Sequence, residues 1–171
     1  RARELAVETC DQHRVCIDIG ANVGLWSCEL VDKFEQVIAF EPVEEFRKCF
    51  ENNVKKTNYV MHPIALGREE SFINMNIVEG NTGHSHIDTS TYGKGTIPLK
   101  TLDSFNFDRV DMIKIDVEGF EEEILIGAEQ TIIRNHPVLA IEQQKHEYKD
   151  AITELPSVKM LEKWGYKVVG Q

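Results

Sequence analysis

CIDIGANVGLW, residues 16–26, is the stretch from which the fold can be read. It begins as an apolar strand and carries a carboxylate at Asp18. It then breaks into Gly20 and Gly24 before an apolar run resumes. Glycine loses more backbone freedom on folding than any other residue, so two of them at a strand-to-helix junction imply a turn that something must approach closely. In a sheet covered by helices, such a turn lies beyond the carboxyl end of a strand, where ligands sit, and leads into a helix N-terminus.

Outward from this turn, strand-like and helix-like segments alternate. Val15–Ile19 reads as the first strand. Val23–Phe34 follows as a helix with Trp26, Leu30, Val31 and Phe34 on one face. Val37–Phe40 is the next strand. The segment after Pro42 puts Val43, Phe46, Cys49 and Phe50 on one helical face, and Tyr59–His62 is a third strand. Ser71–Val78 then alternates with the period of a strand, Glu79–Gly95 reads as loop, and TIPLKTL as another strand. The alternation resumes with a strand at Val110–Val117 and a helix from Glu118 to Arg134, its inward face made by Phe120, Ile124, Leu125, Ala128 and Ile132. Pro137–Glu142 is a further strand, and VKMLEKWGYKVV predicts a last helix, a glycine and a sixth core strand. The expectation is an α/β domain spanning 1–171. Its core is a Rossmann-like, doubly wound, mostly parallel sheet with a strand-rich insertion before the fourth core strand.

Composition narrows the class. The chain has 171 residues, 42% hydrophobic and 28% charged, the balance of a folded globular domain rather than a disordered one. No apolar run is long enough to span a bilayer, and the first residues lack the apolar core of a signal peptide. The sequence opens without Met, as a piece of a longer chain would. A net charge of −10 repels phosphate backbones and disfavours general nucleic-acid binding. Four cysteines without C-x-x-C spacing read as buried reduced thiols, which fits a cytoplasmic location.

Asp18, Glu41, Asp116 and Glu142 each fall at the carboxyl end of a different predicted strand, making one rim of the sheet acidic. Glu41 lies 23 positions after Asp18, where a nucleotide-binding α/β fold holds both ribose hydroxyls with a carboxylate. A dinucleotide site calls for G-x-G-x-x-G. Here the order is Asp18-x-Gly20-x-x-x-Gly24, and a carboxylate in front of the turn would repel a pyrophosphate. It would suit a ligand with a positive centre and an amino-acid tail, which points to S-adenosyl-L-methionine.

DIGANVG, AFEP, IALG, TLDSF, IKIDVEGFEEEILIGAEQTI and PVLAIE occur in the order found in FkbM-type S-adenosylmethionine-dependent methyltransferases, and the chain resembles that family from Val15 to Glu142. The resemblance implies a class I methyltransferase fold and methyl transfer, usually to a hydroxyl oxygen of a sugar or small metabolite. Matched by position, it puts Asp18, Gly20, Asn22 and Gly24 at the methionine end of the cofactor, Glu41 at the ribose and Ala65 near the adenine. Asp116 and Glu118 then face the transfer site. An alcohol acceptor needs a base; Asp116 is the first candidate, Glu118 or Glu142 the alternative. The partner expected is a small-molecule or glycan acceptor. A nicotinamide-dependent oxidoreductase and a non-catalytic cofactor-binding module are the competing readings.

Several residues also have plainer readings. Asp116 and Glu118 could cap a helix, Asp18 could bond its own turn, and Glu41 could be a solvated residue at a helix start. Lys114, mid-strand, would need an ion pair with a rim or helix carboxylate. His84, His86 and Asp88 alternate as H-x-H-x-D, which reads as polar loop more readily than as a metal site. Asp116 with Glu142 is similar in placement to the Mg²⁺ carboxylates of catechol-type methyltransferases, but no metal ligands are assigned. Trp26 and Phe34 read as core.

Overall fold

A computed structural model describes residues 2–78, 85–142 and 155–170. Its main sheet has five strands, all paired in parallel: β1 (Val15–Ile19), β2 (Gln36–Phe40), β3 (Tyr59–His62), β8 (Val110–Ile115) and β9 (Val138–Ile141), in the order β3-β2-β1-β8-β9. The direction of winding reverses between β1 and β8, and such a switch point opens a crevice at the carboxyl ends of the strands.

The period of two in each strand explains why both faces are covered. Ile17, Ile19, Ile38, Phe40, Ile113 and Ile115 point to one side. They pack there against α4 (Glu121–Gly127), α5 (Glu129–Asn135) and α6 (Pro156–Lys163) through Ile124, Leu125, Ile132 and Leu161. Cys16, Val37, Ala39 and Met112 point to the other side. They meet α1 (Ala2–Thr9), α2 (Ser27–Lys33) and α3 (Glu44–Asn53) through Ala6, Leu30, Val31 and Phe50. Asp18 and Lys114 belong to this second set, and the register sets them directly opposite each other in adjacent strands.

A second sheet, ordered β4-β7-β5-β6, is built from β4 (Ala65–Leu66), β5 (Ser71–Asn76), β6 (His86–Asp88) and β7 (Ile97–Lys100). It is inserted between β3 and β8, as the sequence predicts, and packs around Ala65, Ile73 and Leu99.

The structure departs from the sequence expectations in several places. The helix expected from Val23 starts only at Ser27, because the turn at residues 20–26 uses the intervening residues. The helix expected from Glu118 starts at Glu121, because Glu118 and Gly119 both take positive φ (44° and 88°), which no α-helix accommodates. That helix also breaks at Ala128, just after Gly127 presses against the Gly67 backbone. The segment expected as loop contains β6 and a 3₁₀ turn at Thr89–Thr91. Residues 166–169, expected as a sixth core strand, join neither sheet among the described residues, and Val168 and Val169 are exposed. Residues 2–9, given no element by the sequence reading, form α1. Cys10 and Cys16 are buried, but Cys28 is half-buried and Cys49 exposed, so the expectation of four buried thiols fails on α2 and α3.

Candidate active site at the switch point

The backbone ladder continues past the strand ends and fixes the rim. Gly20 and Ala21 N–H groups both donate to the Phe40 carbonyl, Asp116 N–H to Ile19, Glu41 N–H to His62, and Glu142 N–H to Ile115. Four of the predicted functional positions are thereby held by main-chain bonds that do not depend on any ligand. The turn needs its glycine at position 20. Gly20 has φ 72°, and a Cβ there would stand 2.0 Å from the Asp116 carbonyl oxygen.

A cavity of about 830 Å³ opens above these ends. Its size falls within the range of small-molecule sites, roughly 300–1,000 Å³. Gly20, Asn22, Glu41, Ala65, Asp116, Glu118 and Glu142 all line it. Two of the sequence-predicted residues do not. Gly24 turns inward instead, with side-chain atoms of Phe50 and Val54 each 2.9 Å from where its Cβ would be, so it lets the turn pack on α3 and the residue that ends it. Asp18 stands behind the wall, fully buried.

Asp18 is the anchor of a buried polar cluster. Ser27 Oγ donates to its Oδ2 at 2.6 Å, tying β1 to the start of α2. The Lys114 ammonium lies 3.0 Å from its Oδ1, an ion pair that lacks the directionality of a hydrogen bond. Lys114 also donates to the Gly20 carbonyl at 2.7 Å and lies 3.6 Å from Asp116 Oδ2. The negative charge of Asp18 is thus compensated inside the protein. The expectation that it would repel a pyrophosphate does not hold, because a neutralised, fully covered carboxylate projects little field into the cavity.

Glu41 is buried at 4% exposure, which rules out the solvated-residue reading. The Asn22 N–H donates to its Oε2 and the Val43 N–H to its Oε1, both at 2.8 Å. Burial pushes its pKa up, while these two N–H groups pull it down. A carboxylate offers about four lone-pair directions, so roughly two remain for ligand hydroxyls. Asn22 itself takes φ 49°, the left-handed conformation that asparagine tolerates.

Across the cavity, Asp116 and Glu142 face each other on the rim, and the negative charge of Asp116, followed by burial, raises the Glu142 pKa. Glu118 adds to the same field and Lys114 opposes it. A carboxyl crowded by another carboxylate keeps its proton to higher pH than it would alone, and here that carboxyl is Glu142. The helix-cap reading of Asp116 and Glu118 does not fit, since α4 starts at Glu121 with Phe120 as its N-cap and no side-chain cap. The strain at Glu118 instead sits at the cavity wall.

Of the H-x-H-x-D segment, His84 lies outside the described residues. Asp88 caps the 3₁₀ turn by accepting from the Ser90 N–H and Oγ. Among the described residues, no three His, Cys, Asp or Glu side chains gather as a metal site.

The structure also brings in residues that sequence reasoning missed. Trp26, read as core, is half-buried and lines the cavity beside Leu25. Met75, Ser85 and Ile87, in and beside the inserted sheet, form another part of the wall. Arg3 of α1 reaches the same cavity. The alternation of Ile73, Met75 and Ile77 with Phe72, Asn74 and Asn76 carries a signal for the inserted-sheet wall; nothing in the sequence around Arg3 links it to the turn.

Residues 18–168 match the Methyltransferase FkbM domain. The chain belongs to the FkbM methyltransferase family. Among curated relatives, this FkbM chain is 26% identical to Methyltransferase 1 of Beauveria bassiana (strain ARSEF 2860) over 141 residues, covering 65% of this chain and 57% of that protein. It is 29% identical over 132 residues to the hexuronic acid methyltransferase AglP of Haloferax volcanii, covering 72% and 53% respectively. The chain therefore spans little more than half the length of these two relatives. Among solved structures, the FkbM methyltransferase of Methylobacillus flagellatus KT superposes with a TM-score of 0.55 at 22% identity, over 77% of this chain and 32% of that one. The precorrin-6y C5,15-methyltransferase of Geobacter metallireducens GS-15 does so with 0.58 at 16% identity, over 96% and 71%. At such identities the superpositions speak for the fold, which is that of the class I methyltransferases. No helix among the described residues is long and apolar enough to cross a membrane.

Proposed function

We propose that this FkbM chain is one methyltransferase domain that binds S-adenosyl-L-methionine at the switch point and methylates a hydroxyl oxygen of a sugar or other small metabolite. The observation that carries this reading is Glu41. It is a buried carboxylate at the end of β2, oriented by two main-chain N–H groups and lining the cavity with lone pairs to spare for a vicinal diol. The Gly20 turn fits the same group, because only a residue without a Cβ lets the chain pass between the Asp116 carbonyl and the cavity. Family membership weighs against the nicotinamide oxidoreductase reading.

When bound, the cofactor supplies an electrophilic methyl group on a sulfonium. The protein's share of the work is to bind, orient and accept a proton. Glu41 holds the ribose hydroxyls, and Ile64, Ala65 and Leu66 give an apolar wall for the base. Asp116, with Glu142 beside it, is the group that takes the acceptor's hydroxyl proton. A neutral alcohol is a poor nucleophile, and a positioned base typically contributes about 10²–10⁴ in rate. Lys114 keeps Asp116 directed toward the rim. The apolar side chains of Met75 and Ile87 exclude water from one side of the cavity. The hexuronic acid methyltransferase among the relatives lends weak support to a sugar acceptor.

Thermal unfolding with added ligands tests the proposal. S-adenosylmethionine and S-adenosylhomocysteine should each stabilise the protein by about 2.7 kcal/mol at a hundredfold excess over the dissociation constant. Stabilisation by NAD and not by these two would overturn it.

A further inference from the structure

The charges lining the cavity are unevenly distributed. Among the described residues that line it, Glu41, Asp116, Glu118 and Glu142 are acidic; Arg3 and Lys114 are the cations. Lys114 is committed, since its ammonium sits between Asp18 and the Gly20 carbonyl and its side chain is only 3% exposed. Of these lining residues, an anionic group entering the cavity therefore meets four carboxyl groups and one cation that can turn to it.

Arg3 is built onto the turn rather than merely lying near it. Its Nη1 donates to the Leu25 carbonyl at 2.7 Å, and its guanidinium lies 5.7 Å above the Trp26 ring. Leu25 and Trp26 both line the cavity, in the segment that carries the Gly20 turn into α2. Its Nη2 pairs with Glu29, a residue more than half exposed, so that pair is weak and exchangeable. Its Nε–H is shielded from solvent and donates to no acceptor among the described residues. A buried donor left unmatched is costly, and if the exchangeable Glu29 pair gives way and the side chain turns, the Nε/Nη2 edge can present two parallel bonds to a carboxylate.

We propose that Arg3 anchors the carboxylate of the cofactor's amino-acid tail, which makes α1 part of the binding site and not only a cover for the sheet. The inference rests on the cofactor reading above. With Glu41 holding the ribose and Ala65 at the base, the tail runs to the opposite end of the cavity, toward the turn at residues 20–26. There the acidic rim would repel a carboxylate unless Arg3 received it.

Calorimetric titration with two ligands tests this. S-adenosylhomocysteine carries the tail; 5′-methylthioadenosine is the same nucleoside thioether without carboxylate or ammonium. Arg3→Ala should weaken S-adenosylhomocysteine about ten- to a hundredfold, as expected for a lost charge-assisted pair, and leave 5′-methylthioadenosine within about twofold. Arg3→Lys should recover part of the loss, keeping the charge without the fork. Equal weakening of both ligands would assign Arg3 to the packing of α1 and overturn the proposal, as would no weakening of either. Failure of the unaltered protein to bind S-adenosylhomocysteine would instead overturn the cofactor reading itself, and this inference with it.

Discussion

Lys114→Met removes the ammonium from the buried cluster under the turn. Asp18 is fully buried and Lys114 nearly so, and they face each other in adjacent strands at 3.0 Å. The variant leaves a carboxylate inside the protein with one hydroxyl partner, Ser27, and without its counter-charge. Breaking a buried pair in this way costs about 3–5 kcal/mol, because the remaining charge is not compensated. With a urea m-value of about 2 kcal/mol/M, the unfolding midpoint should fall by roughly 2 M. Adding Asp18→Asn to Lys114→Met should restore most of the loss. Asparagine can still accept from Ser27 and carries no charge, so the double-mutant cycle should show a coupling of about 2 kcal/mol or more. Equilibrium urea unfolding of the four proteins, followed by circular dichroism, measures it. Additive losses, with the double variant as unstable as the two singles summed, would refute the claim that Lys114 is there to neutralise Asp18. Lys114→Met should also weaken cofactor binding, since the ammonium holds the Gly20 carbonyl.

Gly20→Ala sets a Cβ 2.0 Å from the Asp116 carbonyl at a φ of 72°, so its expression as a folded protein with native thermal stability would contradict the turn geometry. Asp116→Asn should keep S-adenosylhomocysteine affinity and lower turnover of a verified acceptor by about 10²–10⁴; native turnover would remove Asp116 from the base role. Glu142 has its pKa raised above 4.5 by Asp116, so the folded protein retains a proton that the unfolded chain releases, and stability should fall as pH rises through that window. Glu142→Gln should flatten this slope in denaturant midpoints measured from about pH 4 to pH 8, and an unchanged slope would contradict the pairing.

The main sheet is legible in the sequence because its strands are buried on both faces and read as short apolar runs between amphipathic helices. The bounds expected for β1 and β3 agree with the structure to the residue. The misreadings fall where local pattern and tertiary context disagree. Residues 117–120 have the composition of a helix start, but positive φ at Glu118 and Gly119 delays the helix to Glu121. The apolar end of the chain, residues 166–169, is strand-like in composition, but no sheet edge pairs with it among the described residues. The rim carboxylates can be found from sequence because each ends a strand. That Asp18 lies behind the wall is not legible, since its distance from the cavity depends on register with Lys114, a pairing nearly a hundred positions away. Arg3 and the wall from the inserted sheet are hidden for the same reason: only the folded chain brings them to the turn.

The most direct test of the central claim is calorimetric titration of S-adenosylhomocysteine into the unaltered protein and into Glu41→Ala, with the fold of the variant checked by circular dichroism. Glu41 is the carboxylate on which the cofactor assignment rests. Its removal should weaken binding about ten- to a hundredfold through the lost charge-assisted bonds to the ribose hydroxyls. An unchanged dissociation constant in a folded variant would contradict the account and return Glu41 to bracing the Asn22 and Val43 main chain.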